Sequence, residues 1–497
     1  MIARNAGLYP EKSALVYGDN RTSFRDYKKM CDRCAAGLIK EGIGIGDRLA
    51  ALSSNNDDFL VLCGAAAKIG AVVVPVNYRL GEAEMEYVLK DSTPKCLFSS
   101  KEYRDQARKT ALSVGSVRKH YVFNTDTSDG DFLPFKALLL DGKSEQADAV
   151  SSERAYMIIH TAAVGGKPRG CVLSQSNMLA IGLQVAQLFK LSSRDCHVCI
   201  LPLFHIGGFS MTLAAMQQGG KNLIMERFDP LLALKLTEKE QGTFFVSFPP
   251  MLAQILDVQD KNSFDTSSLK SAGGIDAPDT IQRFLKKNPK AVFYSLYGQT
   301  EAMPVSGCDM AEKPGSVGLP AIMTRVAIFD DLDREVPVGA QGEICVRSPS
   351  VFMGYWNLDA DTAYTFRNGW HHTGDLGRID KDGFIWYGGR KPEKELIKTG
   401  GENVYPVEVE KAILSHDSVE EVAVIGVPDA EWGEAVQAVC VLKKGSAVGA
   451  AELIEFVASK IARYKKPKHV LFVESLPKTA SGEINREEVK KTYSGKK

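Results

Sequence analysis

The sequence predicts an α/β protein built from more than one unit, and three observations carry that expectation. The first is a strand–helix–strand rhythm. "DRLAALSSN" is followed by "DFLVLCGAAAKIG", then "AVVVPVN", "LGEAEMEYVLKDS" and "KCLFSS". Short apolar runs alternating with helix-period segments belong to parallel sheets covered by helices. The second is a change of texture near Gly315, beyond which short strands and Gly/Asp turns dominate. The third is length, because 497 residues exceed what one ordinary core serves.

Taken in order, the first α/β unit holds the five segments quoted above. A second unit of the same kind runs from about Asn177 to Tyr297, through "HVCILPL", "MTLAAMQQG", "KNLIMER", "LLALKLTEKE" and "FFVSFPP". "TRVAIFDDLDREVPVGAQGEICVRS" and "GRIDKDGFIWYGGR" then predict a small β-barrel or sandwich. "GRKPEKELIKTGG" is polar, charged and closed by a Gly pair, which reads as a linker. From about Lys394 the pattern is helix, strand, strand, helix, strand: "PVEVEKAILSH", "VEEVAVIGVPD", "AVQAVCVLKK", "AAELIEFVASKIA", "HVLFVESL". That is a small α+β unit with its own core. The expected division is 1–391 and 392–497. The Lys-rich tail "VKKTYSGKK" reads as a frayed, solvated end.

Composition narrows the function classes. Lys plus Arg number 61 and so do Asp plus Glu, so nothing favours nucleic acid or an anionic membrane as partner. No apolar run approaches the roughly 20 residues that span a bilayer, and the start lacks the apolar core of a secretory signal. The expectation is a cytoplasmic protein without an integral membrane segment. Cys31-x-x-Cys34 lies in an amphipathic-helix pattern and Cys196 and Cys199 in a strand pattern. Neither adjoins the turn a zinc ribbon uses, so reduced structural thiols are the better reading.

Four segments carry candidate chemistry, each with a plainer alternative. "HTAAVGGKPRG" sets Gly165, Gly166 and Lys167 after an apolar strand, as a phosphate-cradling loop does; a tight turn is the alternative, since Pro168 breaks the P-loop spacing. "SLYGQTEAM" offers the Tyr297 ring for a planar base, a flexible Gly298, the Thr300 hydroxyl and the Glu301 carboxylate for a magnesium ion. It also fits a strand-end turn with a surface Glu. "GWHHTGDLGRID" holds Asp375 after a glycine, suited to two ribose hydroxyls or to a simple Asx-turn. "LPLFHIGGF" places His205 beside a Gly pair that leaves room for a ligand, though a lone His there also fits a core position.

Together with "SAGGIDAP", "GGENVYPVEVE" and "PKTASG", these segments fall in an order that resembles the adenylate-forming superfamily of acyl- and aryl-CoA ligases, luciferases and peptide-synthetase adenylation domains. The resemblance spans nearly the whole chain. It implies ATP-dependent activation of a carboxylic acid to an acyl-adenylate with release of pyrophosphate, then transfer to coenzyme A. It implies magnesium, and a small mobile C-terminal domain rotating about a hinge between the two steps. By position, Tyr297 would stack on adenine with Gly273 and Gly274 on its other face. Thr161, Gly165, Gly166 and Lys167 would hold phosphate, Thr300 and Glu301 the α-phosphate and magnesium, and Asp375 the ribose. His205 would sit between acyl and CoA channels, and Gly400, Gly401 and Glu402 would line the thiol tunnel. "GGENVYP" favours CoA as the acceptor. Homodimerisation stays open. Phe204, Phe209, Phe248 and the Gly207–Gly208 pair would edge a pocket for a medium-chain, alicyclic or aromatic acid.

Three departures from that pattern stand out. The phosphate loop has lost most of its hydroxyls, each worth about 1.5–3 kcal/mol as a hydrogen bond to charge. Counting back from Gly400 puts Lys394 at the hinge and Pro392 where an Arg is usual; Arg390 is two positions early, so either the loop bulges by two residues and Arg390 still reaches the ribose, which is the favoured reading, or that contact is lost. Glu483 occupies the position of the adenylation lysine, where a carboxylate repels both acid and triphosphate. Lys478, earlier in the same loop, is one substitute. The other readings are a poor adenylator that still transfers a preformed acyl group, and a ligase-derived binding or regulatory protein. A ligase using a carrier-protein acceptor is a further alternative.

Overall fold

The computed structural model describes residues 1–142, 150–161, 168–391, 396–478 and 484–495. Among them, four sheets of nine, eight, four and five strands organise the chain. The eight-stranded sheet runs Gly354–Tyr355, Arg169–Ser174, Ala155–Thr161, Val72–Val76, Arg48–Leu52, Cys96–Ser99, Lys119–Val122, Phe132–Pro134. Its central strands are parallel. Alternation sorts their side chains: Leu49 and Ala51 enter one core, Ala50 and Leu52 another. Both faces are therefore buried, which is why these strands read as near-continuous apolar runs.

The nine-stranded sheet holds, in order, Leu319–Pro320, Ala302–Asp309, Val292–Gln299, Ser271–Gly274, Phe244–Ser247, Cys196–Cys199, Lys221–Ile224, Ser13–Tyr17 and Asn20–Ser23. Helices Phe24–Lys40, Asp57–Ile69, Gln175–Leu188 and Ile206–Gln218 share one core with the inner faces of both large sheets. Their ends follow local chemistry: Ser23 accepts from Asp26 N–H, Asn56 accepts from Phe59 N–H, and Gly70 closes its helix at φ +73°. All ten cysteines are buried free thiols.

The small β unit, expected as a barrel or sandwich, is a four-stranded sheet among the described residues. Its paired order is linear, Arg325–Phe329, Gly342–Arg347, His371–Ile379, Ile385–Arg390. Instead of closing on itself, it packs Ile328, Ile344, Val346 and Ile385 against Tyr297, Ala302 and Val305 of the nine-stranded sheet. The third sheet edge thereby meets the "YGQTE" segment directly.

The C-terminal unit has a five-stranded sheet and cores of its own. Helices Pro406–Leu414 and Ala450–Lys460 and strands Val419–Asp429, Gly433–Leu442 and His469–Phe472 are where the periodicity places them. Two segments are more ordered than expected. Ile397–Thr399, inside the segment read as linker, is a strand paired with Glu402–Val404 and reaching Gly433, because Ile397 is buried in the small core. Helix Arg486–Tyr493 runs into the first five residues of the Lys-rich tail and is held by the fully buried Val489. No helix of the described residues is long and apolar enough to cross a membrane.

Candidate active site

Strand Val292–Gln299 delivers Tyr297 to a junction with the small β sheet. Its hydroxyl donates to Asp375 Oδ2 at 2.7 Å, and its ring lies 5.9 Å from that of Tyr387. Burial, then the Asp375 charge, push the Tyr297 hydroxyl well above its ordinary pKa, so it stays a donor. Asp375 is almost wholly buried, and Arg390 Nε lies 2.8 Å from its Oδ1. That approach is an ion pair without hydrogen-bond alignment, so Asp375 Oδ1 has no hydrogen-bond donor among the described residues. A buried acceptor of this kind suits a donating hydroxyl, such as that of a ribose.

The pairing of Asp375 with Arg390 depends on a bulge. Strand register passes from Leu376↔Gly389 to Gly377↔Tyr387, so Gly388 is the extra residue. Arg390 is consequently opposite Asp375. The Asp375 turn is itself held by Glu343, which accepts from Gly374 N–H at 2.8 Å and pairs with Lys391 at 3.1 Å and His372 at 3.1 Å. Burial alone would raise the Glu343 pKa, but His372, Lys391 and the Gly374 amide outweigh it and hold the carboxyl at about 2. Glu343, Cys345 and His372 lie close enough to share a metal ion. Arg367 and Lys391 already neutralise that carboxylate, which disfavours a divalent cation there.

Beside this junction, Glu301 accepts from the Tyr355 hydroxyl at 2.8 Å. Its other oxygen has no hydrogen-bond partner among the described residues, which fits a metal ligand. The Arg169 guanidinium lies 4.2 Å over the Tyr355 ring and pairs with Asp361 at 3.2 Å. Gly273 and Gly274 pair with Tyr294 and Ser295 on the neighbouring strand. Gly274 has φ +126°, and a Cβ there would overlap Ser247 O. A Cβ on Gly298 would press on Ala302 O and the Met303 sulfur. These glycines let backbone run where side chains have no space.

A second set of residues lies on the seam between large and small units. Gly400 (φ +56°) and Gly401 (φ +82°) form the two-residue turn between Thr399 and Glu402, a geometry that only glycine takes without strain. The turn packs against Phe248: a Cβ on Gly401 would lie 3.2 Å from that side chain. Glu402 reaches across to pair with Arg79, and its Oε2 lies 3.5 Å from His205 Nε2. Burial alone would raise the Glu402 pKa, yet His205 and Arg79 hold it at about 2. His205 stands at the N-cap of helix Ile206–Gln218 with its side chain 38% exposed, so one face remains open to a ligand.

The model of the AMP-binding enzyme family matches residues 2–356, and that of the AMP-binding enzyme C-terminal domain matches residues 408–483.

The chain belongs to the AMP-binding enzyme family.

It is similar to a feruloyl-CoA synthase of Amycolatopsis sp, 33% identical over 498 residues covering 99% of this chain and 98% of that protein. It is also similar to an indoleacetate–CoA ligase of Aromatoleum aromaticum, 32% identical over 504 residues covering 100% and 98%. Among solved structures it resembles a double mutant of o-succinylbenzoate CoA synthetase from Bacillus subtilis, bound with a product analogue. That match has a TM-score of 0.86 at 27% identity, covering 98% of this chain and 97% of that one.

Within this AMP-binding enzyme, Tyr297, Asp375 and Arg390 meet at one junction, with Gly298, Thr300 and Glu301 in the chain that follows Tyr297 and Gly273 and Gly274 on the neighbouring strand. The structure brings His205, Gly400, Gly401 and Glu402 to the adjoining seam. Thr161 pairs with Arg169 across two antiparallel strands; Gly165, Gly166 and Lys167 lie outside the described residues, as do Lys394 and Glu483. Lys478 is not brought to the cleft. It pairs with Glu421 at 2.6 Å, while the end of the same strand at Asp429 is the one near the seam. From Glu421 to Asp429 is about 27 Å at about 3.4 Å per residue. The small unit faces the cleft with its glycine turn, and a rigid sheet carries Lys478 at its opposite end. Phe209 also departs from expectation. One helical step beyond Gly208, it turns into the helix layer against Phe59. There it lines an apolar cavity of about 240 Å³ with Leu60, Met178 and Met216.

Several residues were missed by reading motifs. Arg79 is one, because its partner is 323 residues away in sequence. Tyr355 is another. Lys398 is a third, an exposed residue on strand Ile397–Thr399 that feels the charges of Arg390 and Asp375. Burial and then the Arg390 charge lower its pKa, with Asp375 and Glu434 opposing. A signal for it existed, since alternation in "ELIKTGG" puts Ile397 inward and Lys398 on the opposite face.

Proposed function

We infer that the chain is an AMP-forming acid–thiol ligase that joins a carboxylic acid to coenzyme A, consuming ATP and releasing AMP and pyrophosphate. The observation that supports this best is the adjacency of two half-sites. One is the Tyr297–Asp375–Arg390 junction with Glu301 beside it. The other is the Glu402–His205–Arg79 seam. In the first half-reaction the acid's oxygen attacks the α-phosphorus and pyrophosphate leaves. Asp375 orients the ribose, Tyr297 the base, and Arg169 and Arg390 offset phosphate charge. Magnesium, where bound, screens the triphosphate, and Glu301 is the residue here that would hold it. In the second, the thiol sulfur attacks the acyl carbon and AMP leaves. The Gly400–Gly401 turn lets a slender chain pass the seam beside His205. The aromatic acids named for the relatives support an aryl or arylalkanoic acid as substrate, and at Gly207 a side chain would already touch Leu201 and Phe248.

Glu483 favours a second reading, in which only acyl transfer is efficient. Lys478 in its ion pair with Glu421 offers no replacement cation in this orientation. The test supplies ATP, magnesium, CoA and a panel of aryl and fatty acids, and measures AMP and acyl-CoA. Product from acids supports the full ligase. Product from synthetic acyl-adenylates alone supports the second reading. Product from neither overturns both. Glu483→Lys is expected to raise adenylation; unchanged adenylation would mean that another cation already serves.

A further inference from the structure

Glu84 lies in the first turn of helix Glu82–Ser92, in the large unit, and does three things at once. Its Oε2 accepts from Gly81 N–H at 2.8 Å, capping its own helix. The same oxygen accepts from Ala462 N–H of the small unit at 3.1 Å. Its Oε1 pairs with Lys465 of the small unit. Lys465 is only 2% exposed and pairs a second time, with Glu408 at 2.7 Å. A lysine so deeply buried is rare unless its charge is matched. Burial would lower its pKa, but the two carboxylates outweigh that and raise it. Tyr464, Arg79 and Glu402 are the neighbouring polar groups on the same seam.

We propose that Glu84 and Lys465 form a reversible latch that holds the small unit in the orientation where Glu402 meets His205. The reason is what each partner keeps when the units part. Lys465 keeps Glu408, so no unpaired charge is stranded in the small core. Glu84 keeps the Gly81 amide at a helix N-terminus, where a carboxylate is favoured. The contact therefore stabilises one orientation without making departure from it prohibitive. Glu402 has no such reserve among the described residues, since both of its partners belong to the large unit. Segment 77–84 thus offers a cation and an anion, Arg79 and Glu84, that meet an anion and a cation of the small unit. Such alternation also fixes the register of docking. Glu84 is a positioning residue for acyl transfer, and this functional half rests on the ligase reading above.

The test uses the full chain with Glu84→Gln and Glu84→Lys. Gln retains acceptors for Gly81 and Ala462 but not the charge; Lys repels Lys465. Hydrogen exchange at Ala462 needs no activity. It is expected to speed up about tenfold or more in Glu84→Lys, and less in Glu84→Gln, with helix Ala450–Lys460 unchanged. Transfer from synthetic feruloyl-adenylate to CoA is expected to fall about tenfold or more in Glu84→Lys, with AMP affinity within about twofold of wild type. Unchanged Ala462 exchange overturns the latch, as does a parallel loss of AMP binding and transfer. If the wild-type chain transfers no acyl group, the ligase reading fails, and the exchange measurement by itself decides the latch.

Discussion

Replacing Asp375 by Asn keeps the side chain's shape and removes its charge. Arg390 would then be left buried without the carboxylate 2.8 Å away, a change that destabilises proteins by about 3–5 kcal/mol. The lower end is expected here, because Tyr387 and Tyr405 still flank the guanidinium. The Tyr297 hydroxyl keeps an acceptor, so Tyr297→Phe isolates that bond and should lower stability by about 1 kcal/mol. Asp375 Oδ1 is the free acceptor in the pocket, and a hydrogen bond to a charged acceptor contributes about 1.5–3 kcal/mol. AMP affinity should therefore fall about 10- to 150-fold. Calorimetry with AMP and urea unfolding measure the two effects separately, whether or not the enzyme turns over. Wild-type AMP affinity in Asp375→Asn would refute the assignment of this carboxylate to the nucleotide, and an unchanged urea midpoint would refute the energetics of the pair.

Other expectations concern the seam, the acyl cleft and pH. Glu402→Gln removes a charge whose ionised form is favoured by about 3 kcal/mol, given a carboxyl held at about 2. Transfer from preformed adenylate should drop about 30- to 100-fold while adenylation changes less than about twofold; equal losses in both steps would contradict the seam's role. Gly208→Ala should unfold the helix start, since a Cβ there overlaps Pro202 O. Gly207→Ala should fold and shift acid preference, because its Cβ would meet Leu201 and Phe248 at 3.7 and 3.9 Å; identical melting of the two variants would count against this. His197 is fully enclosed, and burial, opposed by Asn222, lowers its pKa to about 4. Its neutral form contributes stability in full above pH 6.5, lost as pH falls from 6.5 to about 4, by about 3 kcal/mol in all. The difference in unfolding free energy between wild type and His197→Gln should shrink over that window, and a constant difference would exclude His197 as the source.

Much of the cleft was legible because its residues sit in short segments with local signatures. "YGQTE" ends an apolar strand, "HHTGD" forms a turn, and "TGGENV" needs glycine twice at positive φ. Each signature is a property of neighbouring residues, so it survives without knowledge of the fold. Arg79, Tyr355 and Lys398 have no such signature. Their roles come from what lies opposite them, and nothing beside them in the chain announces it. Lys478 shows the converse. It lies in a loop with a recognisable pattern, yet in this orientation it pairs with Glu421, about eight strand residues from the end of the sheet that meets the seam. Phe209 was misplaced for a simpler reason: about 100° of rotation per helical residue separates it from Gly208.

The sequence by itself determined the repertoire of elements, the two α/β units and the small C-terminal unit. Periodicity and turn chemistry are local, and apolar runs buried on both faces leave an unmistakable pattern. Only the tertiary structure decided which strands share a sheet. Ser13–Tyr17 joins Lys221–Ile224 in the far sheet, while Gly354–Tyr355 returns to Arg169–Ser174 in the near one. Pairing between strands far apart in the chain, parallel in the first case and antiparallel in the second, carries no signal in adjacent residues. Tertiary packing also decided the seam, where Arg79, Glu84 and His205 face Glu402 and Lys465. Charges so far apart in sequence acquire meaning only when burial removes the water between them.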